Sequence, residues 1–355
     1  MFKDLLVIET AGVLAGPAAG LFFAELGARV VKIENPHSGG DVTRKWKLPT
    51  EDPANPVSAY FSSVNHAKEH RFLDLTQAAD RAAFDELAAQ ADVLISNHMD
   101  KDAEKLGLGH ERLRKLNARL IHGHIRGYAE DPARPAYDVV LQAESGYMGM
   151  TGTDAAHLAK VPVALIDILA AHQLKEGLLL ALMQRATSGK GAYVEVSLEE
   201  AALTGLVNQA TNWLMAGQVA RPLGTLHPNI APYGEVFACL DGGRIVLAVG
   251  SDAQFRSLCA VLGLPELASD ARFRTNAGRV GNRAGLAEAL AAQLATMERD
   301  VLLEQLRAAN VPAGAVRSID EALGTSVAKR MVLEGLIDGS ATRRISGNAF
   351  RIQFH

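Results

Sequence analysis

The chain has 355 residues, with 36 basic and 40 acidic side chains and a formal net charge of -4. A hydrophobic fraction of 48% and a charged fraction of 21% exclude a long disordered or low-complexity scaffold. The near-balanced charge argues against a basic nucleic-acid binder, and the aromatic fraction of 5% favours helix-rich α/β packing. Cys239 and Cys259 are too few for a disulfide framework, so we expect reduced thiols.

Residues 5–26 are the only apolar stretch that invites comparison with a membrane span. Glu9 and Glu25 make a spanning helix costly, and no basic segment begins the chain as in a signal peptide. The stretch instead predicts the start of a βαβ unit, with a strand, a helix and a strand at residues 5–8, 18–26 and 28–33. We therefore expect a cytoplasmic protein that does not enter a membrane.

Short apolar runs continue to alternate with helical spacing as far as residue 216. Further helices are predicted at residues 81–91, 106–116, 169–186 and 198–216. Further strands are predicted at residues 92–96, 119–125 and 193–197. Strands that alternate with helices predict a mostly parallel sheet covered on both faces.

The pattern changes after residue 216. Residues 217–232 contain three prolines and little periodicity, which predicts a linker. A β-hairpin follows at residues 236–249, with Asp-Gly-Gly at its turn. Helices are then predicted at residues 252–262, 283–296 and 299–309, and a strand near residues 349–354. The hairpin and these helices indicate a second, α+β domain.

Asp167 is the only charged residue in the apolar run 161–170, just before a long predicted helix. One interpretation is a helix N-cap, whose carboxylate accepts hydrogen bonds from backbone N–H groups. The other is a poorly solvated carboxylate that acts as a nucleophile. The two interpretations are compatible, and composition alone favours the first.

Histidines raise the question of a metal site. His122 and His124 fall on one face of a predicted strand, where both can act as ligands. Because no third ligand lies near them in the sequence, ordinary polar contacts are favoured over a metal site. The chain also has no phosphate-binding glycine signature and no nucleophile-elbow motif.

A set of segments, in a shared order and spacing, resembles the family III CoA-transferases, the CaiB/BaiF group. The segments include Val-Leu-Ala-Gly-Pro-Ala at residues 13–18, Glu-Leu-Gly-Ala-Arg-Val-Val-Lys-Ile-Glu at 25–34, Leu-Gly-Leu-Gly at 106–109, Tyr-Asp-Val-Val-Leu-Gln at 137–142, the run 161–167, and Gly-Lys-Gly-Ala-Tyr-Val-Glu-Val-Ser-Leu at 189–198. Each segment is a weak signal, but together they cover nearly the whole chain and are specific.

The resemblance implies an α/β fold: a Rossmann-like large domain built from both ends of the chain, an inserted smaller α+β domain, and an interlocked homodimer. The predicted first part, linker, small domain and return segment occupy residues 1–216, 217–232, 233–316 and 317–355. The resemblance implies that acyl-CoA and a small carboxylic acid are the substrates, with no tightly bound cofactor and no metal. It also implies that Asp167 is the catalytic residue, through an aspartyl anhydride and an aspartyl-CoA thioester.

Further positions carry over as expected CoA contacts. Leu14 and Ala15 match the loop along CoA, Lys105 with Leu106 beside it matches a basic position near the nucleotide, Tyr137 matches a residue at the thiol end, and Trp46 matches an aromatic near the active-site entrance of formyl-CoA transferase. Lys105 and Trp46 are also compatible with a solvated helix face and with plain packing, respectively.

Three positions depart from the family pattern. Glu69 stands where an arginine would help to hold CoA phosphates, and Asn35 and Met99 replace other typical residues. A degenerate acyl-CoA-binding paralogue therefore stays an alternative. An α-methylacyl-CoA racemase, which shares the fold, is another alternative. Racemases use a His-Asp pair where this chain has Tyr137 and Asp138, so CoA transfer is favoured.

Overall fold

The protein is described here by a computed structural model that covers residues 1–353. Its strands are β1 (Leu6–Glu9), β2 (Arg29–Glu34), β3 (Glu69–Phe72), β4 (Val93–Ser96), β5 (Ile121–Arg126), β6 (Gly152–Asp154), β7 (His157–Leu158), β8 (Ala192–Ser197), β9 (Tyr233–Ala238), β10 (Arg244–Ala248), β11 (Ala313–Ala315), β12 (Val332–Ile337) and β13 (Ser340–Ile345).

The helices that accompany them are α1 (Ala15–Glu25), α2 (Ala59–Asn65), α3 (Ala78–Ala88), α4 (Asp100–Leu106), α5 (His110–Leu116), α6 (Asp138–Glu144), α7 (Tyr147–Met150), α8 (Leu165–Ser188), α9 (Leu198–Thr204), α10 (Asn208–Ala216), α11 (Asp252–Val261), α12 (Pro265–Ser269), α13 (Asn276–Gly281), α14 (Arg283–Leu294), α15 (Arg299–Ala308), α16 (Ile319–Leu323) and α17 (Ser326–Met331). Among the described residues, no helix is both long and apolar enough to cross a membrane.

The elements form two compact units. The first unit comprises Met1–Met148, Lys160–Ala220 and the described residues from Arg330 onward. The second unit comprises Gly149–Ala159 and Arg221–Lys329. The first unit is therefore built from three separate stretches of the chain.

A six-stranded parallel sheet organises the first unit, with the strand order β3-β2-β1-β4-β5-β8. On one face, Phe84 of α3 and Leu113 of α5 pack in the same core cluster as Ile8 and Leu94 of the central strands. Every residue of β4 is buried, because helices cover both faces of a parallel sheet. The predicted parallel α/β architecture is confirmed.

Helices α1 and α8 pack on the opposite face of the sheet. A side chain on Gly123 of β5 would lie 3.0 Å from atoms of both Leu174 and Leu178, so the glycine lets α8 approach the sheet closely. Since α8 is 24 residues long, it runs over the sheet and presents its first turn at one edge. That edge carries the site described below.

Strand β1 is the topological switch point of the sheet. It pairs with β2 on one side and with β4 on the other. The connections from these neighbouring strands therefore leave in opposite directions and open a crevice at the carboxyl ends of β1 and β4. In open α/β sheets, ligands bind in this kind of crevice.

The second unit contains a three-stranded antiparallel sheet with the order β11-β10-β9. Its core includes Phe255 of α11, Leu290 of α14 and Leu302 of α15. Both cysteines are free thiols; Cys239 and Cys259 lie in this apolar core. The hairpin predicted near residues 236–249 corresponds to β9 and β10.

Two predicted helices are broken in the structure. The helix expected over residues 106–116 is interrupted at its start: Leu106 is the last residue of α4, which ends because Gly107 adopts a left-handed conformation (φ 70°), and α5 begins only at His110. The helix expected over residues 198–216 is divided into α9 and α10 near Val207, whose φ is 45°. A β-branched residue rarely adopts such a conformation, so local sequence could not indicate the second break.

The predicted end of the chain also differs. Residues 317–329, assigned from the sequence to the return segment, lie in the second unit, where Glu321 pairs with Arg299 at 3.5 Å. Residues 349–353 form no strand, and Phe354 lies outside the described residues. Instead, β12 and β13 pair as an antiparallel hairpin, and both strands belong to the first unit.

Candidate active site

A cleft of about 270 Å³ opens at the carboxyl edge of the parallel sheet. It is lined by the loop after β1, the loop after β4, the end of β5, the start of α6 and the first turn of α8. Its lining includes residues 12–15, 97–100, 124–127 and 137–138, together with Asp167. The cleft therefore lies at the switch point where a ligand is expected.

Asp167 is the third residue of α8, and only 8% of it is exposed. The N-cap of α8 is Ala164, which makes no side-chain hydrogen bond, so the N-cap interpretation of Asp167 is wrong. Asp138, at the start of α6, takes that role instead. Its Oδ1 accepts hydrogen bonds from the N–H of Ile166 at 2.7 Å and of Asp167 at 3.4 Å. The helix terminus is thus satisfied without the Asp167 side chain.

Burial raises the pKa of Asp167 to about 7, and the nearby negative charge of Asp138 contributes to the rise. Within the described part of the chain, no group donates a hydrogen bond to its carboxylate and no cation pairs with it. Near neutral pH the side chain is therefore divided between its acid and carboxylate forms. A poorly solvated carboxylate of this kind is a stronger nucleophile than one on the surface.

Two side chains hold the loop after β1 in place. The N–H of Gly12 donates to Asn97 Oδ1, and Asn97 Nδ2 donates back to the Gly12 carbonyl, both at 3.0 Å. Val13 has a positive φ of 69°, which is strained for a β-branched residue. Its N–H donates to Asp41 Oδ2 at 3.1 Å, and this contact helps to hold the strained conformation.

A buried network of ion pairs, formed by Lys32, Lys68, Glu9 and Asp41, lies next to this loop. Lys32 Nζ lies 3.1 Å from Asp41 and 3.0 Å from Glu9, and Lys68 Nζ lies 2.7 Å from Glu9. Burial by itself would raise the pKa of Glu9, but Lys68 and Lys32 outweigh burial and hold the pKa below its ordinary value. Burial lowers the pKa of Lys68 to about 8. Each acid in this network therefore has a cation, unlike Asp167.

The structure brings most of the expected CoA contacts to this edge of the sheet. Leu14, Ala15 and Tyr137 line the same cleft as Asp167. Lys105 and Leu106 line a second cleft of about 480 Å³. The two clefts share part of their lining, namely Gly12, Val13, Asn97 and His98. The two clefts therefore adjoin at the loop after β1, and we refer to them together as the groove.

Trp46 lines neither cleft. It is 41% exposed and packs edge-on against Tyr60, with ring centroids 5.1 Å apart. Tyr60 in turn lies near the acids of the site: burial raises its pKa to about 12, with contributions from Asp167 and Asp138. Trp46 thus reaches the neighbourhood of Asp167 through Tyr60.

The three departures from the family pattern lie in different places. Glu69 lies outside both clefts and pairs with Arg29 at 2.8 Å on the exposed edge of the sheet. Asn35 lines the second cleft and accepts a hydrogen bond from the N–H of His37. Met99 lines the first cleft. Glu69 therefore does not place a negative charge in the groove.

His122 and His124 take part in a buried polar contact. Ser96 Oγ lies 2.8 Å from His122 Nε2 and 2.9 Å from His124 Nδ1. This agrees with the polar-contact interpretation of the two histidines. Over residues 1–353, no group of three or more His, Cys, Asp or Glu side chains is arranged to hold a metal ion.

Two features of the site escaped sequence reasoning. Asp138 caps α8 through contacts with Ile166 and Asp167, which lie 28 and 29 positions further along the chain. A local sequence pattern gives no signal for such contacts. Arg126 also lines the cleft, where its guanidinium pairs with Glu195 at 2.6 Å. The alternation of His122, His124 and Arg126 along one strand was the available signal for a polar face.

Known proteins resemble this chain over most of its length. The model of "CoA-transferase family III" matches residues 2–355. Succinate–glutarate CoA-transferase of Agrobacterium fabrum is 37% identical over 321 residues, which are 89% of this chain and 80% of that protein. Acetyl-CoA:oxalate CoA-transferase of Acetobacter aceti is 35% identical over 339 residues, which are 94% of this chain and 85% of that protein.

A solved structure gives the same result. The crystal structure of a CaiB/BaiF family protein from Brucella suis has a TM-score of 0.87 and 34% identity, and the match covers 99% of this chain and 92% of that chain. A parallel α/β sheet with a cleft at its switch point, lined by a buried carboxylate that has no cation among the described residues, is typical of an α/β enzyme that binds its ligand at that edge. The chain belongs to CoA-transferase family III. It is a CoA-transferase, which moves CoA between an acyl-CoA and a carboxylic acid.

Proposed function

We propose that Asp167 is the nucleophile of this CoA-transferase and carries the acyl and CoA groups in turn. The observation that carries the proposal is the isolation of its carboxylate: it is buried in the cleft, its pKa is raised to about 7, and it has no cation among the described residues. Such a carboxylate gains more than a paired one by forming a neutral covalent bond.

The first half-reaction cleaves the donor thioester. The carboxylate of Asp167 attacks the acyl carbonyl, a C–O bond forms, the C–S bond breaks, and CoA leaves as the thiolate with the electron pair. The thiolate then attacks the aspartyl carbonyl of the mixed anhydride. The donor acid leaves as a carboxylate with one oxygen that came from Asp167, and an aspartyl-CoA thioester stays on the enzyme.

The second half-reaction repeats these steps with the acceptor. The acceptor carboxylate attacks the aspartyl thioester, CoA leaves again as the thiolate, and the thiolate attacks the acceptor carbonyl of the new anhydride. The acceptor leaves as its CoA thioester, and Asp167 is restored with one oxygen from the acceptor. Water would hydrolyse each intermediate, which is consistent with a carboxylate that is 8% exposed.

The start of α1 supplies donors for the oxyanions of these steps. Helix α1 begins at Ala15, in the loop that lines the cleft, and the N–H groups of Ala15 and Gly16 belong to its first turn, which has no intrahelical acceptors. Backbone N–H groups directed at a developing negative charge stabilise it without reorganisation. We assign this role to the first turn of α1.

The groove accounts for the expected CoA contacts. We place the nucleotide part near Lys105 and Leu106, the pantetheine arm along Leu14 and Ala15, and the thiol end near Tyr137 and Asp167, with Trp46 near the entrance. Lys105 supplies a positive charge for phosphate. The relatives are named for succinate, glutarate and oxalate, which supports a small dicarboxylate as the acceptor. No tightly bound cofactor is required by these steps.

We also propose that two copies of the chain form an interlocked homodimer in the cytoplasm. Support comes from the resemblance and from the apolar surface of α10, a helix with no buried residue. Trp213, Leu214 and Met215 of this helix are 56%, 79% and 84% exposed in the single chain. A surface of this kind is covered by a partner in stable assemblies. Light scattering on the purified protein tests the dimer, and a monomer at micromolar concentration contradicts it.

Oxygen tracing tests the nucleophile. The enzyme is incubated with succinyl-CoA and with acceptor acid labelled at both oxygens with ¹⁸O, and the peptide that contains Asp167 is analysed by mass spectrometry. In a single turnover the covalent route places one labelled oxygen in Asp167, which is a gain of about 2 Da, as the steps above require. The Asp167→Asn variant is the control and gains no label. Transfer activity without label in Asp167 overturns the proposal.

A further inference from the structure

The buried contact between His122, Ser96 and His124 indicates where the hydrogen-bonding protons of the two histidine rings lie. All three side chains are buried, at 4%, 2% and 5% exposure. Ser96 Oγ is within hydrogen-bond distance of both rings, 2.8 Å from His122 Nε2 and 2.9 Å from His124 Nδ1. A hydroxyl donates one hydrogen bond, so it donates to one ring and accepts from the other.

The direction of this relay follows from the far side of His122. Its Nδ1 is buried and has no hydrogen-bond partner among the described residues. A buried donor without an acceptor is rare and costs more than an acceptor without a donor, so Nδ1 carries no proton. His122 therefore holds its proton on Nε2 and donates to Ser96. Burial lowers the pKa of His122 to about 3, which keeps the ring neutral.

The remaining steps concern His124. Because Ser96 accepts from His122, its own hydroxyl proton points to His124 Nδ1. His124 Nδ1 is then an acceptor, and the ring proton lies on Nε2. Burial lowers the pKa of His124 and outweighs the nearby acids Glu195 and Asp100, which would raise it. This ring is therefore also neutral. Its Nε2 has no partner in the described part of the chain, and the side chain lines the cleft.

We propose that His124 is a further substrate-binding residue, which donates a hydrogen bond from Nε2 to an acceptor oxygen of the acyl-CoA. This inference rests on the proposed function for the identity of the ligand. Two oxygens of an acyl-CoA have this chemistry: an amide carbonyl of the pantetheine arm and the distal carboxylate of a dicarboxylic acyl group. The relay from His122 through Ser96 is the positioning device, because it fixes the tautomer of His124 before substrate arrives.

Substitutions test the donor through the binding of two thioesters. His124→Phe removes the donor, and we expect KM for succinyl-CoA to rise roughly 3- to 10-fold with a smaller change in kcat. His124→Gln places an amide N–H near the position of Nε2, and we expect its KM to lie closer to the wild-type value than to that of His124→Phe. Ser96→Ala leaves the His124 tautomer free, and we expect an intermediate effect.

Butyryl-CoA distinguishes the two acceptor oxygens, since it has the pantetheine arm but no distal carboxylate. An equal rise in KM for both thioesters in His124→Phe assigns the pantetheine carbonyl, and a rise for succinyl-CoA alone assigns the carboxylate. Unchanged KM for both thioesters in His124→Phe overturns the proposal. A Gln variant as weak as the Phe variant also overturns it, because the donor then has no role.

A measurement on the free wild-type protein separates this inference from the proposed function. Two-bond ¹H–¹⁵N spectra of protein with labelled histidine report which ring nitrogen carries the proton. The His122 and His124 signals are assigned by their loss in single variants. Both rings are expected as the Nε2–H tautomer. An Nδ1–H tautomer at His124 overturns the inference even if CoA transfer is normal, whereas absence of ¹⁸O label in Asp167 with the expected tautomers contradicts only the proposed nucleophile.

Discussion

Glu9 and Asp167 are both buried carboxylates near the carboxyl edge of the same sheet, but their electrostatic surroundings are opposite. Glu9 is fully buried between Lys32 and Lys68, which hold its pKa below the ordinary value despite burial. Asp167 has no cation among the described residues, and burial raises its pKa to about 7. The comparison shows that pairing, more than burial, decides whether a carboxylate serves structure or is available for chemistry.

The largest expected effect is on activity. Asp167→Asn removes the proposed nucleophile and should lower kcat for CoA transfer by at least about 10³-fold, with an unchanged circular dichroism spectrum. Glu111→Gln is the acidic control, since Glu111 lies outside both clefts and pairs with Arg114 on the surface. Residual activity of Asp167→Asn within tenfold of wild type would place the chemistry elsewhere.

The paired side of the comparison predicts a loss of stability. Lys32→Met leaves Asp41 without its cation and Glu9 with one cation fewer, and should lower the free energy of unfolding by about 3–5 kcal/mol. Arg29→Met, on the same strand, is the matched control. Arg29 and Glu69 are both about half exposed, so we expect a change below about 0.5 kcal/mol. Urea denaturation measures both values, and equal effects would contradict the role of burial.

The unpaired carboxylate, Asp167, leads us to expect a higher free energy of unfolding in Asp167→Asn. The pKa of Asp167 is about 7 in the folded protein and 3.8 ordinarily. Between pH 3.8 and pH 7 the folded protein therefore holds the Asp167 proton more tightly than the unfolded chain does. As the pH rises through this range, Asp167 lowers the free energy of unfolding. The full difference corresponds to at most about 4 kcal/mol at pH 8. The variant should be more stable than wild type by about 2–4 kcal/mol at pH 8 and about equal near pH 4. Denaturation at both pH values measures this difference.

The pH dependence of the reaction follows from the same pKa. In the proposed mechanism the carboxylate form of Asp167 is the nucleophile, so kcat/KM should rise with pH up to about 7 and then level off. Below that value the fall approaches tenfold per pH unit. A profile that is flat from pH 5.5 to pH 8 would show that Asp167 is fully ionised in the free enzyme.

The smallest expected effect concerns the CoA groove. Lys105→Ala should raise KM for acyl-CoA roughly fivefold, because one charge-assisted contact to phosphate is lost. Lys101→Ala is the control, since Lys101 is on the same helix, α4, and lines neither cleft. Equal KM values for the two variants would remove Lys105 from the CoA site.

Much of the secondary structure of the first unit could be predicted, because the sequence patterns that indicate it are local. Apolar runs and helical spacing identify the sheet strands that are buried on both faces, such as β4. Strand β3 was missed because it is an edge strand with the polar sequence Glu-His-Arg-Phe, which pairs among the described residues with β2 alone. The break of the helix at Gly107 had a signal in the glycine, whereas the break near Val207 had none.

The candidate site was predictable in part for the same reason. Asp167 stands out because it is alone in an apolar run, and that property belongs to its neighbours along the chain. Its raised pKa depends first on burial and then on Asp138, which is 29 positions away and comes close only when α6 and α8 pack. The role of Asp138 as the cap of α8 has no counterpart in local sequence.

The amino-acid pattern established the alternation of strands and helices, the family resemblance and the position of the candidate nucleophile. Long-range packing determined the pKa direction of the buried carboxylates Glu9 and Asp167, the lining of the groove and the contact of Ser96 with His122 and His124. The physical reason is that secondary structure follows from residues within a few positions, whereas the electrostatic free energy of a buried group is a sum over neighbours that folding brings together. Glu9 and Asp167 differ through those neighbours.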